Sequence, residues 1–380
     1  SNQNVYLAGY TQGSVDSADN GGGRDAFITK HDVAGFKKWA AQLRTATDEE
    51  GWGVAADSSG SVYITGYTQG AFESNTNAGA EDVLLVKYDA AGVRTWLKQF
   101  GTTGKDYGKG IAVDAGNNVY ITGATAGGLH GNTSSGGQDL FVTKYGADGT
   151  RVWTQQLGTA ASDAGNAMAV DSGGNVYVVG TTSGSLDGNV GQGGSDLFVV
   201  KYDSGGTKQW TRLIGSNANE EGLGVAVDAS NNVYVTGSTA GSIDGAMNAG
   251  ANDILLVKFA SDGVKQWVSQ FGSTAGDIAS GVKVESSDRI YVAGYTSGNL
   301  DGLPNSGGRD SFLIKFNGSG VKQWTRLTGT SSDDIALGLA VDTQGTVSLG
   351  GYTAGALNAH MNAGERDAFI VTYTSGGAKR

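Results

Sequence analysis

The chain of 380 residues contains no cysteine, only one proline and only three histidines. The absence of cysteine excludes disulfide bonds, thiolate metal sites and cysteine nucleophiles. His31, His130 and His360 lie in three different predicted loops, without the spacing that a histidine metal site requires. The sequence also lacks a run of 18 apolar residues and a charged leader followed by an apolar segment. We therefore expect no membrane insertion and no signal peptide within the chain as given.

Basic residues are in the minority, since 26 Lys and Arg stand against 37 Asp and Glu, for a formal charge of −11. This excess of acid repels phosphate groups, so we expect neither a nucleic acid partner nor an anionic membrane surface. Catalytic motifs are missing as well: the chain has no Gly-x-Ser-x-Gly, no His-Glu-x-x-His and no phosphate-binding loop. The sequence therefore predicts a protein that is not an enzyme.

What the chain does have is glycine, at 65 of its 380 positions, more than double the roughly 7% that is usual. A collagen helix would need glycine at every third position and abundant proline. A disordered chain would be poor in apolar residues, whereas here 38% are hydrophobic and occur in short recurring runs. The glycines therefore predict many tight turns between short buried segments.

One pattern recurs every 57 residues without insertion or deletion. Six of the seven tryptophans follow this step, at Trp39, Trp96, Trp153, Trp210, Trp267 and Trp324. An aspartate series follows it too, at Asp25, Asp82, Asp139, Asp196, Asp253, Asp310 and Asp367. Repetition at such a period is the signature of a solenoid or a propeller, in which each repeat is one supersecondary unit.

Each repeat holds four short runs that are rich in β-branched and aromatic residues and bounded by Gly, Asn, Asp or Ser. In one repeat these runs are 224–228, 233–237, 253–259 and 264–270. Runs of this length and composition predict strands, and no stretch has a helical apolar period. Glycines at 35, 92, 149, 206, 263, 320 and 377 are expected to take positive φ in hairpin turns. Four antiparallel strands per repeat predict an all-β fold, the β-propeller.

The repeated elements Gly-x-Ala-Val-Asp, Gly-Asn-Val-Tyr-Val-x-Gly and Asp-x-Phe-x-x-Lys-Tyr-Asp resemble the bacterial SBBP β-propeller repeat and, more distantly, the NHL repeat. The resemblance covers essentially the whole chain. It implies a seven-bladed propeller of four-stranded antiparallel blades, with Gly-x-Ala-Val-Asp nearest the axis and the Trp strand outermost. It implies little about function.

The number of blades is left open by the strand count. The second and third strands recur seven times, whereas the first and fourth recur six times. A seven-bladed ring with two three-stranded blades keeps every strand in use and is our prediction; a six-bladed ring and a fragment of a longer repeat chain are the alternatives. The whole of 1–380 is predicted to be a single propeller domain. Its predicted repeats are 1–51, 52–108, 109–165, 166–222, 223–279, 280–336 and 337–380, of which the first and last are incomplete.

The long loop between the second and third strands is rich in oxygen donors. Carboxylate and amide oxygens held by glycine turns suit Ca²⁺, although Asx turns and strand caps explain the same residues. No other cofactor is expected. The candidate ligands for Ca²⁺ are Asp16, Asp19, Asn20, Asp25, Asp187, Asp244, Asn248, Asp301 and Asn305.

A second acidic series precedes the first strand of each repeat. If the strand order is right, these carboxylates ring the mouth of the central channel, where they would raise one another's pKa and attract a cation. Hydrogen bonds to backbone amides are the alternative role. The series is Glu49, Asp106, Asp163, Glu220, Asp277 and Asp334.

The repeated Lys or Arg at 37, 94, 151, 208, 265, 322 and 379 are expected to pair with carboxylates or to cover sheet faces with their stems. The repeated tryptophans are expected to pack between blades. Trp52 lies outside the series and has the better claim to a surface role.

Together these observations predict an extracellular, cell-surface or periplasmic module for binding or structure, whose loop face contacts a protein or a glycan. Its open terminal blades are expected to invite self-association, because unpaired strand edges pair readily. Two alternatives remain: a multivalent carbohydrate-binding lectin, and a propeller hydrolase that uses the acidic ring.

Overall fold

The computed structural model describes residues 4–16, 19–286 and 289–380. These residues form 26 strands, which are arranged in five four-stranded and two three-stranded antiparallel sheets. The chain is thus a seven-bladed β-propeller, as predicted, and the two three-stranded blades are the first and the last. Within the described residues the helices are single 3₁₀ turns at Leu129–Gly131, Leu186–Gly188 and Leu357–Ala359, and none is long and apolar enough to cross a membrane.

The chain divides into two compact units, one made of residues 1–190 with 200–209 and one made of 191–199 with 210–380. Three sheets lie wholly in the first unit. Their strands are β1 (Asn4–Thr11), β2 (Asp25–Asp32) and β3 (Lys37–Leu43); β4 (Glu49–Ala56), β5 (Val62–Thr68), β6 (Asp82–Tyr88) and β7 (Arg94–Phe100); β8 (Asp106–Val113), β9 (Val119–Thr125), β10 (Asp139–Tyr145) and β11 (Arg151–Leu157).

The fourth sheet contributes strands to both units, and three further sheets lie wholly in the second. The fourth sheet is β12 (Asp163–Val170), β13 (Val176–Thr182), β14 (Asp196–Tyr202) and β15 (Lys208–Ile214). The others are β16 (Glu220–Val227), β17 (Val233–Thr239), β18 (Asp253–Phe259) and β19 (Lys265–Phe271); β20 (Asp277–Ser286), β21 (Arg289–Thr296), β22 (Asp310–Phe316) and β23 (Lys322–Thr328); β24 (Asp334–Val341), β25 (Val347–Thr353) and β26 (Asp367–Tyr373).

The second and third strands of each four-stranded sheet carry the core, because both of their faces are covered. β17 is buried along its whole length, and β18 is buried except at Lys258. The outer strand β19 is only half buried and begins with exposed residues. In the second compact unit, side chains of β17 and β18 pack with those of β20, β21 and β22 in one apolar cluster. Within this unit neighbouring sheets therefore bury faces against one another, which explains why a single repeat could not form a core alone.

The repeated tryptophans pack between sheets, as predicted. Each ring lies over the hairpin glycine of the following repeat, as Trp210 does over Gly263, where a Cβ would come within 2.9 Å of the indole. The indole Nε1 of Trp210 also donates a hydrogen bond of 3.3 Å to the carbonyl oxygen of Ser261. Gly263 has φ +80°, a conformation that favours glycine. This turn therefore needs glycine twice, for its backbone and for the space that the ring fills.

The first strand of each sheet starts earlier than predicted. β16 begins at Glu220 rather than at 224, and Glu220 pairs with Thr239 of β17. The predicted repeat boundaries at 52, 109, 166, 223, 280 and 337 consequently fall inside first strands. These boundary residues lie at a β-bulge, where one extra residue breaks the register of the first hairpin. The first strands pack on one another along each compact unit: β4 on β8 and β8 on β12, then β16 on β20 and β20 on β24.

Candidate functional site

In five of the seven long loops the first acidic position is occupied by an ion-pair partner. Asp244 has φ 50°, in the left-handed region, and its carboxylate accepts a 2.6 Å hydrogen bond from Lys265 Nζ on the outer strand. The same exposed pair recurs in four further repeats: Asp16 with Lys37, Glu73 with Arg94, Asp187 with Lys208 and Asp301 with Lys322. The predicted pairing of the repeated Lys and Arg with carboxylates is confirmed at these positions.

The amide side chains of the same loops hold turns. Asn305 Oδ1 accepts a 2.7 Å bond from the Gly307 amide, and Asn248 Oδ1 accepts one of 2.8 Å from Gly250. Asn20 Oδ1 likewise accepts from Gly22 at 2.7 Å, while the carbonyl oxygen of Asp19 accepts from the Arg44 guanidinium. Residues 17 and 18, between Asp16 and Asp19, lie outside the described residues. No three His, Asp or Glu side chains in the described ranges are grouped so as to hold a metal ion, so Ca²⁺ binding stays a prediction.

The second acidic series is buried, which corrects the expectation of an open ring of charge. Asp106 is 0% exposed, and its Oδ2 accepts bonds from the Thr102 amide at 2.6 Å and from Thr102 Oγ1 at 2.9 Å. Glu49, Asp163, Glu220, Asp277 and Asp334 are also 0% exposed and accept the same amide bond from the residue four positions before them. Backbone amides of the loop draw these carboxylates inward, so they do not line a surface.

Each of these acids sits beside the repeated aspartate of the preceding sheet. The Asp106 amide bonds to the Glu81 carbonyl oxygen at 2.8 Å, which places Asp106 next to Asp82 at the start of β6. Glycine at 101 permits this approach, because a Cβ there would overlap Asp82 Oδ1 and lie 2.8 Å from Asp106 Oδ2. We call each such pair a carboxyl joint. The six joints are Asp25–Glu49, Asp82–Asp106, Asp139–Asp163, Asp196–Glu220, Asp253–Asp277 and Asp310–Asp334.

The one large departure from the repeat in the first compact unit surrounds Trp52. Trp52 occupies the bulge of β4, is 41% exposed, and packs against Tyr67 with ring centroids 5.2 Å apart and against Tyr107 at 5.4 Å. Its Nε1 donates to Glu50 Oε2 at 2.8 Å. The equivalent bulge residues of other repeats are not aromatic: Lys109, Asn166, Leu223, Ser280 and Leu337. Trp52 therefore anchors an aromatic cluster that occurs once in the sequence.

Two ion pairs border this aromatic cluster. The Arg24 guanidinium pairs with Glu50 and lies 5.0 Å from the ring centroid of Tyr10, which is itself 41% exposed. Lys105 Nζ lies 2.9 Å from Glu81 Oε1. Each cation is matched by a carboxylate, so the surface carries no net charge from these four groups. We call Tyr10, Arg24, Glu50, Trp52, Tyr67, Glu81, Lys105 and Tyr107 the Trp52 surface.

Seven antiparallel sheets, repeated every 57 residues, place the protein among the β-propellers. The sequence profile of the SBBP β-propeller repeat matches residues 39–73, 95–130, 152–187 and 209–244. Four stretches of the chain thus match the SBBP β-propeller repeat, which confirms the resemblance that its motifs carry.

An individual relative resembles the chain over most of the chain's length. The chain is 27% identical over 364 aligned residues to the regulatory protein FlaEY of Caulobacter vibrioides, an alignment that covers 83% of this chain and 38% of FlaEY. It therefore spans well under half of that relative's length.

Two solved structures share the architecture at low identity. The WD40 domain of Neurospora crassa Pan2 gives a TM-score of 0.52 at 10% identity, covering 92% of this chain and 82% of that one. The polysaccharide lyase Uly1 gives 0.54 at 12% identity, covering 97% and 87%. These likenesses concern the fold, which by itself does not decide between binding and catalysis.

Proposed function

We propose that this propeller is a non-catalytic binding module and that its ligand docks on the Trp52 surface. The observation that carries the proposal is a partly exposed indole, flanked by two tyrosines, at a bulge position that is not aromatic in the other repeats. Trp, Tyr and Arg dominate the energetics of binding surfaces, because large rigid rings bury much area and lose little entropy. A rigid scaffold that presents such a group once fits recognition of one ligand.

The ligand class that suits this surface is a carbohydrate. Its charges are already neutralised in the pairs Arg24–Glu50 and Lys105–Glu81, so a charged ligand would have to break an existing pair. An uncharged sugar can lay an apolar ring face on Trp52 while its hydroxyls accept from Arg24 or Lys105 and donate to the carboxylates. A lectin that uses every long loop has less support, since the acidic groups of those loops are paired with lysines or arginine.

A glycan array probed with the full chain tests the proposal. For any glycan that the wild type binds, Trp52→Ala should weaken binding at least tenfold. The chain should stay folded at the assay temperature, although loss of the contacts with Tyr67 and Tyr107 should lower the melting temperature somewhat. The matched control is Leu337→Ala, which truncates the 57%-exposed residue at the same repeat position and should bind normally. Normal binding by Trp52→Ala, or a blank array, would refute the carbohydrate site.

A hydrolase that uses the acidic series is disfavoured by burial, since both carboxyl groups of the Asp139–Asp163 joint are 0% exposed. Hydrolase activity of the wild type that the Asp163→Asn substitution abolishes would support the hydrolase alternative.

We also propose that the module works outside the cell or in the periplasm, in keeping with its acidic, cysteine-free composition. Protease treatment of intact cells tests this placement. Self-association through the three-stranded sheets stays a prediction, and sedimentation velocity over a range of concentrations would detect it.

A further inference from the structure

The carboxyl joints contain buried oxygen atoms without a donor. In the Asp253–Asp277 joint both residues are 0% exposed. Asp253 Oδ2 accepts from the Ala249 amide at 3.0 Å and from Gln270 Nε2 at 3.1 Å, and Asp277 Oδ2 accepts from the Ser273 amide at 2.6 Å and from Ser273 Oγ at 2.9 Å. Among the described residues no donor reaches Oδ1 of Asp253. An unpaired oxygen of this kind is costly unless it gains a hydrogen bond.

The two carboxyl groups face one another across a glycine. A Cβ at Gly272 would overlap Asp253 Oδ1 and lie 2.9 Å from Asp277 Oδ2. The same construction recurs, with a glycine at 101, 158, 215 and 329 against the aspartate of its own joint. Oδ1 is unpartnered in Asp25, Asp82, Asp139, Asp196, Asp253 and Asp310, one in each joint. Six repeats thus place a buried, donorless oxygen next to a second carboxyl group.

We propose that each carboxyl joint is a proton-binding site, in which one proton is held between the two carboxyl groups at neutral pH. One carboxyl then donates an O–H bond to the other, which satisfies an oxygen that no amide reaches. Two ionised carboxylates at this burial would repel each other in a medium that screens charge poorly. On deprotonation the proton passes to solvent and leaves two like charges in the joint.

The electrostatic environment agrees with this assignment. Burial raises the pKa of Asp277, and the neighbouring Asp253 carboxyl raises it further. Burial, with a lesser contribution from the partner acid, also raises the pKa of a carboxyl group in each other joint: Glu49, Asp82, Asp163, Asp196 and Asp310. Six retained protons would remove six negative charges from the formal −11 and leave about −5.

The Asp253–Asp277 joint is the best place to test the proposal. Its contacting side chains, Gln270, Ser273 and Thr296, are uncharged, and so are Asn252 and Gly276, which precede the two acids. A carboxyl whose pKa is higher in the folded than in the unfolded chain stabilises the fold at low pH. That contribution is lost as the pH rises through the folded-state value. Unfolding of the full chain between pH 6 and 8 should therefore release protons, up to one per joint.

The decisive variant is Asp253→Asn, whose amide can donate permanently to Asp277. It should release up to one proton fewer on unfolding and keep or raise the melting temperature at pH 8. The matched control, Asp262→Asn, removes an exposed carboxylate of the same sheet and should release as many protons as the wild type. Infrared spectra of the folded protein at pH 7 should contain the C=O band of protonated carboxyl groups, weakened in Asp253→Asn.

Three results would overturn the proposal. The first is an equal proton count for Asp253→Asn and the wild type, and the second is the absence of the carboxyl C=O band at pH 7. The third is a fall in melting temperature on adding chelator at constant pH that Asp253→Asn reduces, because a cation would then join the carboxylates of the joint. Loss of glycan binding bears only on the Trp52 surface, so failure of either proposal leaves the other standing.

Discussion

The first hairpin of a complete repeat carries an acidic residue at each of its two ends, and the surroundings of the two acids differ. At one end of β8, Asp106 meets Asp82 in a carboxyl joint that contains a donorless oxygen. At the turn end, Asp114 Oδ1 accepts from the amides of Gly116 and Asn118, each at 2.9 Å. Asp114 Oδ2 accepts from Asn118 Nδ2 at 2.8 Å and from the Tyr120 hydroxyl at 3.0 Å.

This contrast shows how hydrogen-bond donors oppose burial in setting the pKa of a carboxyl group. Burial would raise the pKa of Asp114, but the hydrogen bonds from Asn118, Tyr120 and Gly116 outweigh it and lower the pKa. Asp57, Asp171 and Asp228 occupy the same turn and have lowered pKa values for the same reason. The turn end of the hairpin thus favours an ionised carboxylate, whereas the other end contains the joint at which we propose a shared proton.

The largest effect separating the two ends is the pH dependence of stability. The turn aspartates have lowered pKa values, so their contribution is present above the unfolded value of about 3.9 and lost as the pH falls through the folded values. We expect the free energy of unfolding, measured with urea, to fall steeply below pH 4, by about 1.4 kcal/mol per pH unit for each proton taken up, and the urea midpoint to fall with it. The carboxyl joints are expected to affect stability in the opposite pH range, above pH 6, where they lose their protons. A midpoint that stays constant from pH 5 to pH 2 would contradict this account.

The next largest effect is expected from breaking one turn. Asp114→Ala removes four accepted hydrogen bonds and leaves the Tyr120 hydroxyl unpaired, so it should destabilise the fold by about 3 kcal/mol. Tyr120→Phe, which removes the hydroxyl alone, should cost about 1 kcal/mol. Urea denaturation at pH 7 measures both. A loss below about 1 kcal/mol for Asp114→Ala would mean that the turn does not depend on its carboxylate.

A third test fills the space between two joined acids. Gly101→Ala would push a methyl group into Asp82 Oδ1, and we expect a loss of about 2 kcal/mol, typical of overpacking. Gly276→Ala is the matched control, because no atom lies within 4 Å of the added Cβ, and it should be neutral or slightly stabilising. Thermal unfolding of the two variants compares them directly. Equal stability would show that the joint tolerates separation of its carboxyl groups.

Much of the fold could be predicted from the sequence, because the 57-residue period repeats the strand signals many times. The third strand, 253–259, is predicted to the residue. The start of β16 is missed, since Glu220 and Glu221 do not read as strand and are held there by pairing with Thr239 and Ser238. The joints are missed because their acids come from different strands about 24 residues apart, and only the fold brings them together.

Trp52 illustrates the same limit at the candidate site. Its position outside the tryptophan series is visible in the sequence and points to a surface role. The neighbours of Trp52 cannot be identified from the sequence, because Tyr67 lies on β5 and Tyr107 on β8. These rings contact Trp52 only when the sheets pack. An exception to a repeat can thus be located from sequence, whereas the group of side chains around it cannot.

The smallest effect is expected from the exposed pairs of the long loops. Lys265→Met removes the partner of Asp244, and both side chains are well exposed, at 36% and 52%. Exposed ion pairs contribute between about 0 and 1 kcal/mol, because water screens the charges and ordering two long side chains costs entropy. We expect the melting temperature to change little and any change to vanish in high salt. A salt-independent loss above about 1 kcal/mol would mean that this aspartate, like those at the turns, depends on its donor.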